Sequence, residues 1–64
     1  MKRERQTAVA KLLLIDQVAE GLGVSARTVR RLIARRELVA CRLGRSVRVH
    51  PDDLAAYIDR RRRL

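Results

Sequence analysis

The sequence predicts a small α+β domain that is mostly helical, with three short helices and one β-hairpin. Two segments with the apolar spacing of a helix, 15–22 and 26–36, are separated by a glycine. The spacing then changes over 39–49 to the alternation of apolar and polar residues that is typical of strands. A proline followed by two aspartates opens a third helical segment, 51–61. A chain of 64 residues is long enough for one such domain.

The apolar residues of the first predicted helix are spaced three and four apart and therefore share one face. They are Ile15, Val18, Ala19 and Leu22. Gly23 follows and supplies the backbone freedom that a sharp turn needs. Ser25 is a candidate N-cap of the second helix, because its hydroxyl can accept a hydrogen bond from a free backbone N–H.

The second predicted helix has one apolar and one basic face. Its apolar residues, Val29, Leu32 and Ile33, repeat the three-and-four spacing, so they are expected to face the first helix. The outward face is then fixed by helical geometry. It consists of Ala26, Arg27, Arg30, Arg31 and Ala34, with Thr28 near the N-terminal edge.

The predicted hairpin turns at Gly44-Arg45-Ser46. The alternation predicts one apolar face, formed by Val39, Cys41, Leu43, Val47 and Val49. The other face is expected to carry Arg42 and Arg48, with Arg45 at the tip. Charged residues also protect exposed edge strands from pairing with other chains, so these arginines have a structural alternative.

The third predicted helix has favourable charges at both ends. Pro51 suits a first turn, and His50 before it is interpreted as a helix-entry residue. Leu54, Tyr57 and Ile58 are expected to form the apolar face. The closing run 60–63 is all arginine, which suits a helix C-terminus. Contact with DNA is an equally weighted alternative for that run.

Positive charge dominates the composition. Sixteen Lys and Arg against seven Asp and Glu give a net charge of +9, and fourteen of the sixteen are Arg. Residues 27–48 hold eight arginines and a single acid, Glu37. Such a chain is expected to bind a polyanion, because the planar guanidinium pairs with phosphates and guanine edges. Tyr57 is the one aromatic residue, which disfavours stacking on RNA bases, whereas an acidic protein partner stays open as an alternative.

The sequence offers no candidate catalytic or metal-binding set. Cys41 and His50 are each alone, and no nucleophile with a neighbouring base is visible. We therefore expect a protein that is not an enzyme and that takes no metal, cofactor or small-molecule ligand. Glycines, the hairpin and Pro51 interrupt any long amphipathic helix, so a membrane partner is not expected.

The chain divides into a short arm and one domain. Residues 1–11 are interpreted as a basic, mobile N-terminal arm, and residues 12–64 as a single domain. The longest apolar run, 12–15, is too short to span a bilayer, and the basic start lacks the features of a signal peptide. We expect a cytoplasmic protein of a bacterial or phage-infected cell, associated with the nucleoid.

The first two helices meet the spacing requirements of a helix-turn-helix. Ala19 is the small residue that lets the second helix cross closely, and Gly23 lies at the turn four residues later. A hairpin after the second helix corresponds to a wing. The sequence therefore predicts a small winged helix-turn-helix, a fold whose second helix enters the major groove of duplex DNA.

Candidate DNA-binding residues follow from this fold. For the major groove they are Ser25, Arg27, Thr28, Arg30 and Arg31. For the minor groove and backbone they are Arg42, Arg45 and Arg48 of the wing, and Arg35 and Arg36 are possible extra phosphate contacts. Arginine pairs with guanine through two hydrogen bonds, whereas the hydroxyls and the helix N-terminus suit phosphates.

The segment from Leu13 to Ile58 resembles the excisionase-type winged helix, which is related to the DNA-binding domain of MerR-type regulators. The matching residues are Val18-Ala19-Glu20, Leu22-Gly23-Val24-Ser25, Arg27-Thr28-Val29, Leu32-Ile33, Glu37-Leu38, Arg42, Gly44-Arg45, Arg48-Val49, Pro51, Asp53-Leu54 and Tyr57. The family usually has Thr or Ser where Leu14 stands, Gly where Arg36 stands and Pro where Val39 stands. An aromatic residue of the second wing strand is replaced by Val47.

The resemblance implies one of two functions. Excisionases of phages and mobile elements, also called recombination directionality factors, bind double-stranded DNA near attachment sites, bend it and direct integrase toward excision. MerR-like regulators use the same domain to control transcription, usually with a dimerisation helix and an effector domain appended. Neither is present after the third helix here, so the expectation favours an excisionase that acts with integrase and with further copies of itself on adjacent sites. A small transcriptional regulator is the alternative.

Overall fold

A computed structural model describes residues 11–62 and shows an α+β winged helix-turn-helix. The elements in chain order are α1 (Ile15–Leu22), α2 (Ala26–Ala34), β1 (Cys41–Leu43), β2 (Ser46–Arg48) and α3 (Pro51–Arg61). The first and third helices begin and end where the sequence predicts. The predicted arm, 1–11, lies outside the described residues except for Lys11, which is exposed.

Helix α1 begins without a side-chain cap from its own N-cap residue. Leu14 has no acceptor to offer, but the Gln17 side chain reaches back and accepts a hydrogen bond from the Leu14 N–H at 2.8 Å. The helix ends at Gly23, whose φ of 71° lies in the left-handed region. The Val24 N–H then bonds the Ala19 carbonyl at 3.0 Å, which closes the turn toward α2.

The core lies where α1 and α2 cross over the base of the wing. Its fully buried members are Val18, Ala19, Val29, Leu38 and Val49. Half-buried apolar residues pack around them, among them Leu32, Ile33, Leu54 and Tyr57. Burial of Val29 confirms the predicted inward face of α2. The prediction for Ile58 is wrong, because its side chain is 38% exposed at the outer edge of α3.

The segment before α1 is tied to the wing by a backbone bridge. Leu13 and Val49 form an antiparallel bridge in which each N–H bonds the other carbonyl, at 2.8 and 2.9 Å. This bridge holds residues 12–14 extended and places the start of α1 beside the wing. The sequence pattern of helices and hairpin did not predict it.

Helix α2 is shorter than predicted, because it ends at Ala34 rather than at position 36. Arg36 adopts a φ of 62°, the one non-glycine residue in 11–62 with a positive φ. This conformation lets the N–H groups of Glu37 and Leu38 both bond the Leu32 carbonyl, at 2.9 and 3.2 Å. The chain thereby turns sharply and delivers Leu38 into the core. A side chain with a Cβ is strained at such a φ.

Replacing Arg36 by glycine is expected to stabilise the fold by about 0.5–1 kcal/mol, because glycine adopts the left-handed conformation without a Cβ penalty. The greater entropy of glycine in the unfolded chain offsets part of the gain. Thermal unfolding checks this, and the expected rise in Tm is several degrees. The control is Arg35→Gly, since Arg35 next to it has a φ of −84°. The same change there should lower Tm, and a higher Tm in both variants would contradict the strain at Arg36.

The wing has a tighter turn than predicted. Its strands are 41–43 and 46–48 within the predicted span of 39–49, and Leu43 pairs with Ser46, so the loop has two residues, Gly44 and Arg45. Gly44 has a φ of 62°, as the first position of such a loop requires.

This shorter loop shifts the strand register and mixes the two faces of the wing. Residues paired across antiparallel strands point to the same face, and the pairs are Arg42 with Val47 and Cys41 with Arg48. The predicted apolar face with both arginines opposite is therefore wrong. Arg42 and Arg48 lie on opposite faces, because a register shift of one residue moves a side chain to the other side.

Helix α3 is capped by His50, as its interpretation as a helix-entry residue indicated. The His50 Nδ1 accepts a hydrogen bond from the Asp52 N–H at 2.9 Å, Pro51 occupies the first turn, and Asp52 and Asp53 lie at the positive end of the helix. The cap positions α3 against the core through Leu54 and Tyr57.

Loss of this cap is expected to destabilise the domain moderately. His50→Ala removes the acceptor of one backbone N–H and should lower the free energy of unfolding by about 1 kcal/mol. His50→Asn retains an acceptor at this position and should lose less than half of that value. Urea unfolding of both variants is the measurement. Equal losses would show that packing of the imidazole ring, rather than its hydrogen bond, stabilises this end of α3.

Candidate nucleic-acid interface

The N-terminus of α2 presents unpaired donors to solvent. The Ser25 Oγ accepts from the Thr28 N–H at 3.1 Å and lies 3.1 Å from the Thr28 Oγ1, to which it donates. Ser25 is thus the cap that the sequence predicts. The Thr28 hydroxyl proton stays available, and the N–H groups of Ala26 and Arg27 have no acceptor within the helix. Such a helix end attracts an anion.

The outward face of α2 is a short arginine surface. Arg27, Arg30 and Arg31 are exposed, and their side chains form no hydrogen bond or ion pair within the described part of the chain. Burial of Val29 on the opposite side of the helix turns all three outward together. Ala34 is exposed on the same face, whereas Ala26 is half-buried and contributes less of it than predicted.

The wing places its three arginines differently. Arg45 is exposed at the tip and Arg42 is exposed on β1. Arg48 is half-buried, and its Nη1 donates to the Val47 carbonyl at 3.1 Å. The guanidinium groups of Arg45 and Arg42 therefore have no partner among residues 11–62, whereas Arg48 is partly held against its own strand.

A groove of about 490 Å³ connects α2 with the wing. It brings together Arg30 of α2 with Arg45 and Arg48 of the wing. The other lining residues are Leu14, Ile15, Asp16, Ile33, Ser46 and Val47. Arg27, Arg31 and Arg42 do not line it. Asp16 is the acid in this lining. Its sequence position does not indicate a functional residue, because an acid in the first turn of a helix is explained by the helix dipole.

The remaining candidate arginines lie at the far end of α2. Arg35 and Arg36 are exposed, and Arg35 lies about 15 Å along the helix axis from Ser25. Arg36 lines a second groove together with Glu37, Tyr57, Arg60 and Arg61. The structure thus separates these two residues from the groove shared by α2 and the wing.

Two arginines of the closing run hold the turn after α2. The Arg60 Nη2 donates to the Glu37 carbonyl at 3.0 Å, and the Arg61 Nη2 bonds the Glu37 carboxylate at 2.7 Å. Arg61 also stacks over the Tyr57 ring, 5.5 Å from its centroid. The Arg61 Nε also donates a hydrogen bond to the Tyr57 hydroxyl at 3.4 Å. This bond, and then the negative charge of Glu37, raise the pKa of Arg61. Both arginines thus have a structural role, but it is a contact with Glu37 that the predicted compensation of the helix dipole did not include.

Pairing with Arg61 neutralises the one acid in the segment that supplies the interface arginines. Glu37 is the single acid among residues 27–48, and Arg61 neutralises it from α3. No unpaired acid within that segment therefore offsets the positive charge of its eight arginines. An unscreened surface of this kind attracts a polyanion over roughly a Debye length, about 8–10 Å at physiological salt.

The described residues, 11–62, contain no cluster of His, Cys, Asp and Glu that could hold a metal ion. Within the same range no helix is long and apolar enough to cross a membrane. The chemistry of the site is that of a cationic binding surface.

Comparison with known proteins agrees with this geometry. A family described as "Helix-turn-helix domain" matches residues 12–62. Two curated relatives, from Mycobacterium tuberculosis strains CDC 1551 and H37Rv, are each 49% identical over 47 residues, which is 73% of this chain. Both have names that provisionally call them DNA-binding proteins. The matched segment spans 60% of the length of each relative, and no solved structure matches the chain.

Proposed function

This chain belongs to the helix-turn-helix domain family, whose fold binds DNA, and we propose that it is a sequence-specific protein for duplex DNA that acts as an excisionase. The single observation that carries the DNA-binding part is the exposed face of α2. There the side chains of Arg27, Arg30 and Arg31 have no partner within the described residues, and Arg30 shares a groove with Arg45 and Arg48 of the wing. Residues 12–64 act as one DNA-binding domain in this proposal.

In the proposed complex the N-terminal half of α2 enters the major groove. The guanidinium groups of Arg27, Arg30 and Arg31 are placed to read guanine edges, each worth about 1–3 kcal/mol of discrimination. The free hydroxyl proton of Thr28 and the N–H groups at the start of α2 contact a phosphate, with Ser25 fixing their position. Phosphate contacts fix the register of the helix, and arginine contacts select the sequence.

The register of the wing suits a ribbon that enters the minor groove tip first. Arg45 at the tip would lie in the groove, where a narrow A·T tract attracts arginine. Since Arg42 and Arg48 are on opposite faces of the ribbon, each would face one of the two flanking backbones. Arg35 and Arg36, at the other end of α2, would add peripheral phosphate contacts.

One domain of this size makes few contacts and binds weakly alone. With about six to ten phosphate contacts, its affinity is expected to fall by about 10³ to 10⁵ between low and moderate salt. Occupancy at a working concentration then requires help from neighbouring proteins on the DNA. We propose that further copies on adjacent sites and an integrase supply that help, which matches the role of a recombination directionality factor that bends DNA near attachment sites.

The test is a recombination assay with the integrase of the same genome and its attachment sites. The protein is expected to stimulate excision and to inhibit integration. The variant Arg27→Ala/Arg30→Ala should lose both effects, and Arg62→Ala, at the end of α3, should keep them. If the wild-type protein changes neither reaction but binds a duplex at low salt, the excisionase role is wrong and a small MerR-like transcriptional regulator replaces it. Failure to bind any duplex at low salt would contradict the whole proposal.

A further inference from the structure

Asp16 is an acid on a surface that is otherwise built of cations. It lies in the first turn of α1, is exposed, and lines the groove with Arg30, Arg45 and Arg48. Its carboxylate forms no hydrogen bond or ion pair within the described part of the chain. Arg61 neutralises Glu37, the acid that follows α2, whereas no cation within residues 11–62 forms an ion pair with Asp16.

The position of Asp16 places its charge where a DNA strand would pass. In a helix-turn-helix complex the first helix crosses the backbone while the second enters the major groove. The bridge between Leu13 and Val49 fixes the start of α1 beside the wing, so the backbone of Asp16 is held next to the groove. A phosphate drawn into the groove by the three arginines therefore meets a carboxylate.

That repulsion differs between binding to a random sequence and binding to a preferred site. On a random sequence the arginines have only phosphates to bind, so a DNA strand enters the groove and its phosphates lie close to the Asp16 carboxylate. On a preferred site Arg30 is directed to a base edge instead, and the groove holds less phosphate. An unfavourable contact that is stronger in the wrong complex raises specificity.

We propose that Asp16 is a specificity-determining residue that weakens binding to random DNA more than binding to the preferred site. This inference rests on the proposed function, because it concerns the same interface. Asp16 contributes little to affinity for the preferred site, and its effect is to keep the arginines of the groove from holding the protein on arbitrary sequence.

Asp52 offers a matched control for the effects of net charge and of the helix dipole, and its carboxylate also lies 3.8 Å from the His50 Nδ1. Both residues are exposed aspartates at the second position of a helix, so each interacts in the same way with a helix dipole. Neutralising either one changes the net charge of the protein by the same amount. Asp52 does not line the groove shared by α2 and the wing.

The experiment compares Asp16→Asn and Asp52→Asn on two duplexes. One is a random-sequence duplex, and the other is a duplex that the wild-type protein enriches from a randomised library. Asp16→Asn should bind the random duplex about fivefold more tightly and the enriched duplex less than about twofold more tightly. Its salt dependence on the random duplex should steepen by about one phosphate contact. Asp52→Asn should change either affinity by less than about twofold.

The outcomes separate the inference from the proposed function. If the wild-type protein enriches a sequence but Asp16→Asn changes both affinities by one factor, or matches Asp52→Asn, the role of Asp16 is wrong and the proposed function stands. If the wild-type protein enriches no sequence, sequence-specific binding is wrong and Asp16 has nothing to discriminate. Unfolding curves of the two variants are expected to coincide, which shows that the difference in binding is local.

Discussion

Leu38→Ala is expected to remove most of the stability of the fold, so that a large fraction of the protein is unfolded at room temperature. Leu38 is 1% exposed and is among the largest fully buried side chains. Truncating a buried leucine costs about 2–5 kcal/mol, because the transfer free energy is lost and a cavity remains. A single core in a domain of this size supplies about 3–5 kcal/mol of net stability, so one such change consumes most of it. Far-UV circular dichroism and urea unfolding measure the loss.

Leu43→Ala is the matched control for this prediction. It deletes the same three carbon atoms from the wing, where Leu43 is 54% exposed. The free energy of unfolding should change by less than about 0.5 kcal/mol, as is usual for surface positions. Comparable destabilisation by both variants would show that Leu43 in the wing contributes as much to stability as the buried Leu38, which contradicts the position of the core.

Arg27→Ala/Arg30→Ala is expected to weaken binding to an enriched duplex by about 100- to 1,000-fold. Each arginine is exposed, without a partner in the described residues, and placed to contact a base edge, at about 1–3 kcal/mol per contact. The loss should be much smaller on a random duplex, where base contacts contribute little. Fluorescence anisotropy on both duplexes, at one fixed salt concentration, gives the two ratios.

A second double variant removes the same charge from elsewhere. Arg35→Ala/Arg62→Ala takes one arginine from the far end of α2 and one from the end of α3, both exposed. Its affinity for the enriched duplex should fall by less than about tenfold, since only peripheral phosphate contacts are lost. If the two double variants lose affinity equally, the protein binds through its net charge, and the face of α2 does not read sequence.

Local patterns in the sequence predicted the helices well because each depends on nearby residues. The spacing of Val18 and Ala19, the glycine at position 23 and the proline at position 51 fixed α1 and α3 to their observed bounds. The inward position of Val29 followed from the same spacing, and with it the outward direction of the α2 arginines.

Features that depend on contacts between elements were not predictable in the same way. The bridge from Leu13 to Val49 joins residues 36 positions apart, and no local pattern announces it. The wing register depended on a loop of two residues rather than three, a difference that alternation cannot resolve. The bridge and the wing register together place α1 next to the wing, and this arrangement brings Asp16 beside three arginines.

The left-handed residue after α2 shows where a local rule was overridden. A run of good helix formers through Arg36 predicts a longer helix, but Leu38 must reach the core within two residues of it. Burial of Leu38 outweighs the strain of about 1–2 kcal/mol at Arg36. The excisionase-type family that the sequence resembles usually has glycine at this position, and glycine adopts this conformation without a Cβ penalty.

NMR titration of the labelled protein with a short duplex at low salt tests whether the face of α2 and the wing form the DNA-binding surface. Backbone amide signals of residues 25–31 and 44–48 are expected to shift together and to saturate at one stoichiometry, while those of residues 52–58 in α3 stay in place. Shifts centred on α3, or spread evenly over the surface with no preference for the N-terminal half of α2, would show that α2 and the wing do not form the DNA-binding surface.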